Sequence, residues 1–274
     1  MKLGWISDVH LNFPDGETRR RFYEEMQAYG ADMWLLSGDI GEAPSVLGYL
    51  DELANWVGTP LFFVLGNHDF YRGSIRQVVS EVASRARDWR GVHWLTQSEG
   101  ALVGETLAIV GDDGWADARL GDPMGTTVEL NDFYLIEELT GHSREELVSR
   151  LNTLGDKAAS RLGAKLEAAA KRVDHVVVVT HVPPFQGATW HEGGISSPEW
   201  LPWFSCDAMG RAIVECADRY PRTEFLVLCG HTHSPGRYSP RANLVVHTAA
   251  ATYGKPVVQA VLEFRTGVAE PRVA

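Results

Sequence analysis

Short runs that are apolar at almost every position, residues 3–7, 33–37, 61–65, 107–110, 175–180, 225–229, 244–247 and 257–264, constrain the fold of this chain more than any other feature. A strand with one wet face alternates apolar and polar residues, so runs without alternation read as strands covered on both faces. Between them, roughly at 18–29, 44–56, 74–89, 144–172 and 207–219, apolar residues recur at three- and four-residue steps, the period of a helix with one buried face. Gly155 and Gly163 are expected to break or kink the fourth helix. Strand and helix alternate in the first half, whereas only a turn-like segment, 248–255, separates the last two strands. That order predicts a layered α/β architecture with mixed sheets rather than a purely parallel barrel. No repeat or linker-like tract divides the 274 residues, so one domain spanning 1–274 is expected. Two long connections, 112–138 and the tryptophan-rich 183–205, are expected to wall a pocket.

Polar motifs begin where several apolar runs stop: Asp8-Val9-His10, Gly38-Asp39, Gly66-Asn67-His68-Asp69, His181 and Gly230-His231-Thr232-His233. In open α/β sheets ligands bind outside the carboxyl ends of the strands, so one sheet edge would collect all of them. Gly-Asp occurs four times in this chain and carries little information by itself. By the chain's own composition, Asp-x-His is expected about 0.6 times by chance, Gly-His-x-His about 0.04 times and Gly-Asn-His-Asp about 0.001 times, so the last two carry the weight. Together the motifs supply carboxylates, an amide oxygen and imidazoles, the ligand inventory of a paired divalent-metal site that handles phosphate.

In order and spacing these motifs resemble the calcineurin-like metallophosphoesterase superfamily. The resemblance implies a four-layer αββα sandwich with two mixed β-sheets and two divalent metal ions at the sheet edge. It assigns Asp8, His10, Asp39 and His233 to one ion, and Asp39, Asn67, His181 and His231 to the other. A carboxylate has two oxygens and can bridge, so Asp39 suits the shared position. Two divalent ions against two carboxylates leave a local charge of about +2, enough to attract a phosphate ester and to acidify a water for attack. His68 lies outside the ligand set and is expected to protonate the leaving-group oxygen, with Asp69 orienting and charging its imidazole. A helix-capping or bracing role is the alternative for both. After Gly38-Asp39 the chain reads Ile40-Gly41-Glu42, without the tyrosine of purple acid phosphatases or the Asp-Arg-Gly of phosphoprotein phosphatases. With His181-Val182-Pro183-Pro184, it looks more like the small bacterial class III phosphodiesterases. Nitrogen and oxygen ligands suit Mn, Fe, Zn, Co or Ni.

The reading is therefore a binuclear metal-dependent hydrolase of a small phosphodiester or phosphomonoester. A nuclease of the same superfamily is the second reading, and a non-catalytic metal- or phosphate-binding scaffold the third. A formal net charge of −11 and the lack of a long basic or aromatic strand-binding segment count against nucleic-acid polymers. The basic clusters Arg19, Arg20, Arg21 and Arg85, Arg87, Arg90 read as solvated helix faces. No apolar run approaches the ~18 residues of a membrane span, the first residues carry no signal-peptide pattern, and a cytoplasmic location is expected. Cys206, Cys216 and Cys229 read as structural thiols. His93, His142 and His175 read as surface or packing residues. His191 is a candidate substrate contact or a solvated loop residue, and His247 a candidate bracing residue. Trp115, Asn131 and Asp132 are candidate pocket residues, and Asp112 and Asp113 lie either at the rim or in a turn.

Overall fold

The computed structural model describes residues 1–264 and the backbone of 272–273; the remainder of the expected 1–274 span lies outside the described residues. In chain order the strands are β1 (Lys2–Ile6), β2 (Met33–Ser37), β3 (Leu61–Val64), β4 (Val92–Trp94), β5 (Ala101–Val103), β6 (Leu107–Asp112), β7 (His175–Thr180), β8 (Trp190–His191), β9 (Gly194–Ile195), β10 (Glu224–Cys229), β11 (Gly236–Arg241), β12 (Leu244–Thr248), β13 (Val258–Glu263) and β14 (Arg272–Val273). The helices are α1 (Gly16–Tyr29), α2 (Val46–Val57), α3 (Ile75–Arg85), α4 (Asp132–Leu135), α5 (Arg144–Ala170), α6 (Leu201–Phe204) and α7 (Asp207–Arg219).

Two mixed sheets result. The first runs β14-β13-β1-β2-β3-β4 and the second β11-β12-β10-β7-β6-β5. Within the first, β1 to β4 are parallel; within the second, β6, β7, β10 and β12 are parallel, with antiparallel β5 and β11 at the edges. Period-2 alternation inside the apolar runs explains how both faces are used. Trp5, Leu35, Phe62 and Val64 meet Ile109, Val177, Val179, Leu226 and Leu228 between the sheets. Ile6, Trp34, Leu36 and Phe63 point the other way, onto Phe22, Tyr23 and Met26 of α1, Leu50 of α2 and Val78 of α3. On the far side, Val176, Val178 and Val227 meet Leu162 and Leu166 of α5 and Met209 and Ile213 of α7. The architecture is the expected four-layer αββα sandwich.

Several local expectations are corrected. α5 runs unbroken through Gly155 and Gly163, because a Ser143–Glu146 capping box starts it and a buried stripe including Leu151, Ala158, Leu162 and Leu166 offsets the ~1 kcal/mol that each glycine costs. β12 and β13 are not joined by a simple turn: they belong to different sheets, and the segment between them crosses the edge where the motifs gather. Edge strand β11 was invisible to an apolar-run criterion because its sequence, GRYSPR, is polar and contains a proline, both usual at a sheet edge. β4 and β5 are too short to stand out.

Asp112 and Asp113 lie away from the rim, and the turn is present at Asp112, whose Oδ1 accepts from Gly114 N at 3.2 Å. Both are buried: Asp112 takes a two-pronged ion pair from Arg161 at 2.7 and 2.8 Å. Asp113 accepts from Leu65 N at 2.6 Å, Thr96 Oγ1 at 2.6 Å and Trp94 Nε1 at 2.9 Å, tying the end of β3 to the second sheet. Trp115 is likewise core, packed on Phe70 at 5.1 Å. The cysteines are free and buried. No helix among the described residues is long and apolar enough to cross a membrane.

Candidate metal centre

The carboxyl ends of β1, β2, β3, β7 and β10 meet at one edge of the two sheets. Backbone bonds extend the β1–β2 ladder into the motifs, from Asp8 N to Gly38 O at 3.1 Å and from His10 N to Asp39 O at 2.9 Å. Two further bonds join the sheets: His181 Nδ1 to Ser37 O at 2.8 Å, and His231 N to Asp8 Oδ1 at 2.8 Å. The chain turns abruptly here. Asp8, His10, Asp39, His231 and His233 all have positive φ, between 40° and 71°. Such conformations cost about 1 kcal/mol or more each for residues with a side chain and concentrate at functional sites. The motif glycines make the crowding possible: a Cβ on Gly66 would run into Asp39 Oδ1, and one on Gly230 into Asp8 Oδ2.

Donor atoms of Asp8, His10, Asp39 and His233 lie within 4.8 Å of one another and could hold a cation. His10 Nε2 is 3.2 Å from His233 Nε2 and 3.6 Å from Asp39 Oδ2, while His233 Nε2 is 3.4 Å from Asp8 Oδ1. A second cluster adjoins it. His181 Nε2 is 3.0 Å from Asn67 Oδ1 and 3.3 Å from Asp39 Oδ1, and His231 Nδ1 is 2.9 Å from Asn67 Oδ1. The two oxygens of Asp39 thus face different clusters.

Tautomers make the second cluster diagnostic. His181 gives its Nδ1–H to the Ser37 carbonyl, and His231 gives its Nε2–H to the Trp203 carbonyl at 2.9 Å, so the other ring nitrogens present lone pairs. The Asn67 amide is oriented as well: its Nδ2 donates to Asp132 Oδ1 at 2.8 Å and Tyr71 Oη at 3.2 Å, which turns Oδ1 toward the imidazoles. Three acceptors therefore converge within hydrogen-bond distance, an arrangement that suits a shared cation. Imidazoles tied to backbone carbonyls are typical of metal ligands.

Electrostatics fit the same group. Burial opposes ionisation of Asp8, but the hydrogen bond from His233 and the charge of His181 outweigh it and hold the carboxyl at about 2. Asp39 is held well below the ordinary carboxylate range, burial again being overcome, chiefly by His181 and His68. Burial pushes His10 and His231 down to about 4, leaving them neutral and able to donate a lone pair at pH 7. At His181 burial loses to the charge and hydrogen bond of Asp39, which raise it to about 10, so without an ion its Nε2 carries a proton, whose place a bound cation would take. The carboxylates thus favour a positive charge between the sheets.

His68 stays beside this group. Its backbone N–H donates to Asp39 Oδ1 at 2.9 Å, and its ring stacks on Tyr71 at 4.2 Å with Nε2 3.9 Å from Asp39 Oδ2. Asp69 does not orient that ring. Its carboxylate accepts from Ile40 N at 2.9 Å, Gly41 N at 2.8 Å and Gly66 N at 2.9 Å, binding the second and third motif turns together.

A cavity of about 210 Å³ opens over the centre, lined by Tyr71, Leu130, Asn131, Asp132, His191, Phe204 and Tyr253 with motif residues. Both long connections contribute, the first through Leu130 to Asp132 and the second through His191 and Phe204. Trp203 is fully buried, with Nε1 donating to Val128 O at 3.0 Å, so it supports the wall. His247 is not among the lining residues. Sequence reasoning missed Tyr71 and Tyr253. Tyr71 lies four residues beyond Asn67, on the short 3₁₀ turn His68–Phe70 and its end, and that spacing could have revealed it. Tyr253 sits in the crossover between sheets, with no local signal.

A layered αββα fold with carboxylate and imidazole donors gathered at the strand ends is the construction of a metal-dependent hydrolase. The calcineurin-like phosphoesterase family model matches residues 1–235, and the chain belongs to that family. It is accordingly a metal-dependent phosphoesterase of a dimetal family. Among solved structures, a phosphopantetheinyl hydrolase from Mycobacterium tuberculosis is similar with a TM-score of 0.66 at 16% identity, over 93% of this chain and 90% of that one. A dimetal phosphatase from Danio rerio is similar with a TM-score of 0.58 at 15% identity, over 96% of this chain and 92% of that one. At such identities the likeness shows the shared fold. No curated protein matches the chain significantly.

Proposed function

We propose that this phosphoesterase hydrolyses a small phosphodiester or phosphomonoester at a binuclear centre. Asp8, His10, Asp39 and His233 would hold one divalent ion, and Asp39, Asn67, His181 and His231 the other. The convergence of lone pairs from His181, His231 and Asn67, each oriented by a partner behind it, carries this reading. Bound there, the ions supply neutralisation of the phosphoryl charge and an acidified water as nucleophile. Asp39 would serve both ions, since its Oδ2 faces His10 and its Oδ1 faces His181. His68 is the leaving-group acid: its ring is clamped by Tyr71, remains partly exposed at the cavity and lies outside both clusters. Asp69 acts at one remove, holding the Gly38-Asp39 and Gly66-Asn67 turns in register through three backbone N–H groups.

The test is turnover of bis-(p-nitrophenyl) phosphate, p-nitrophenyl phosphate and a cyclic nucleotide after reconstitution with Mn, Fe, Zn, Co or Ni. Hydrolysis of at least one ester that chelation abolishes is expected; no turnover with any metal would overturn the proposal. His68→Ala should lower kcat about 10²- to 10⁴-fold on an ester with a poor leaving group while metal content stays unchanged. Unaltered turnover on that ester removes His68 from the chemistry.

A further inference from the structure

Phe13 and Tyr253 come from opposite ends of the sequence, the loop after β1 and the crossover between β12 and β13, yet their rings meet at the rim of the site. Their centroids are 4.7 Å apart with planes tilted by 43°. Tyr253 covers His10 at 4.6 Å and His233 at 5.1 Å, and Phe13 meets His10 edge-on at 6.0 Å. Both residues are about half exposed, at 53% and 46%. Rings recruited only for packing gain most when covered, so a half-exposed pair over a buried polar centre has the form of a recognition surface.

The charge of the surroundings narrows what it recognises. Among the described residues no lysine or arginine lines the adjoining cavity. A second phosphate or a carboxylate on the substrate would find no cation there beyond those held by the centre. A flat uncharged substituent would instead gain stacking or edge-to-face contact with the exposed rings, a gain of about three- to tenfold in affinity.

We propose that Phe13 and Tyr253 form an aromatic platform selecting phosphate esters that carry a flat, uncharged aryl or heteroaryl substituent. The proposal rests on the phosphoesterase reading above and names its substrate class. Calorimetric titration of the metal-loaded protein with phenylphosphonate and methylphosphonate, neither of which is an ester, measures the preference without turnover. The wild-type protein should bind the phenyl compound about three- to tenfold more tightly. Phe13→Ser and Tyr253→Ser, both at exposed positions, should each bring that ratio close to one with metal content retained. Equal affinity of the wild type for the two phosphonates overturns the platform, as does a preference that survives both substitutions. Turnover of p-nitrophenyl esters, assayed in parallel, bears on hydrolysis alone. If none is hydrolysed the catalytic reading fails, and the phosphonate ratio still decides the platform.

Discussion

The two halves of the centre reach similar donor geometry by different means. The half built from Asp8, His10, Asp39 and His233 is dense in charge: two carboxylates face two imidazoles inside 4.8 Å. Its members are braced by the Ser7 hydroxyl and the backbone N–H of His231 on Asp8 and by the backbone N–H of His68 on Asp39, while His10 Nδ1 is buried without a partner among the described residues. The half built from Asn67, His181 and His231 has only the shared Asp39 for charge. Each of its own three donors is oriented by a hydrogen bond from behind, through Asp132 and Tyr71, the Ser37 carbonyl or the Trp203 carbonyl. Where charge is plentiful the cation itself can orient the ligands. Where it is scarce the protein must pre-orient them, because a misturned amide would present N–H groups to the ion.

The hardest challenge to that contrast is Asp39→Asn, which removes the charge both halves share. Both ions should be lost, and turnover should fall by more than about 10³-fold; elemental analysis showing either ion retained at full occupancy would break the pivot. Chelation of the wild-type protein comes next. The charge-poor half should release its ion first, so metal content should pass through one equivalent as chelator rises, whereas coincident loss of both ions would erase the asymmetry.

Asp132→Ala removes the acceptor that turns Asn67. Affinity for one ion should drop about 10- to 100-fold while the other is held nearly as before, measured by competition with a fluorescent chelator. The smallest effect is expected from Tyr71→Phe. Loss of the hydroxyl removes its 2.6 Å bond to Asp132 and the 3.2 Å bond it accepts from Asn67 Nδ2, but leaves the bond from Asn67 to Asp132 and the ring under His68, so the same affinity should weaken only about fivefold. An effect as large as that of Asp132→Ala would make Tyr71 an equal partner in the brace.

Much of this was legible in the chain. The apolar runs gave the central strands of both sheets because strands buried on both faces cannot hide their composition. Rare motifs such as Gly66-Asn67-His68-Asp69 marked the edge where those strands end. Elements that use little apolar surface escaped: β11 lies at a polar edge, and β4 and β5 span three residues each. Glycines in α5 suggested a break because local propensity ignores the packed face that overrides it. Asp69 was misplaced for a related reason. Adjacency to His68 suggested a partner, but its carboxylate turns toward backbone N–H groups supplied by another motif.

By itself the sequence determined the layered α/β order, the donor types and their placement at strand ends, since these follow from local composition and period. Tertiary structure alone decided which donors share a cluster, which end of Asn67 faces inward, and that Tyr253 crosses from the second sheet to lie on His10 beside Phe13. The physical reason is range: periodicity is written over a few neighbouring residues, whereas orientation depends on partners such as Asp132, Ser37 and Trp203 that only folding brings within 3 Å.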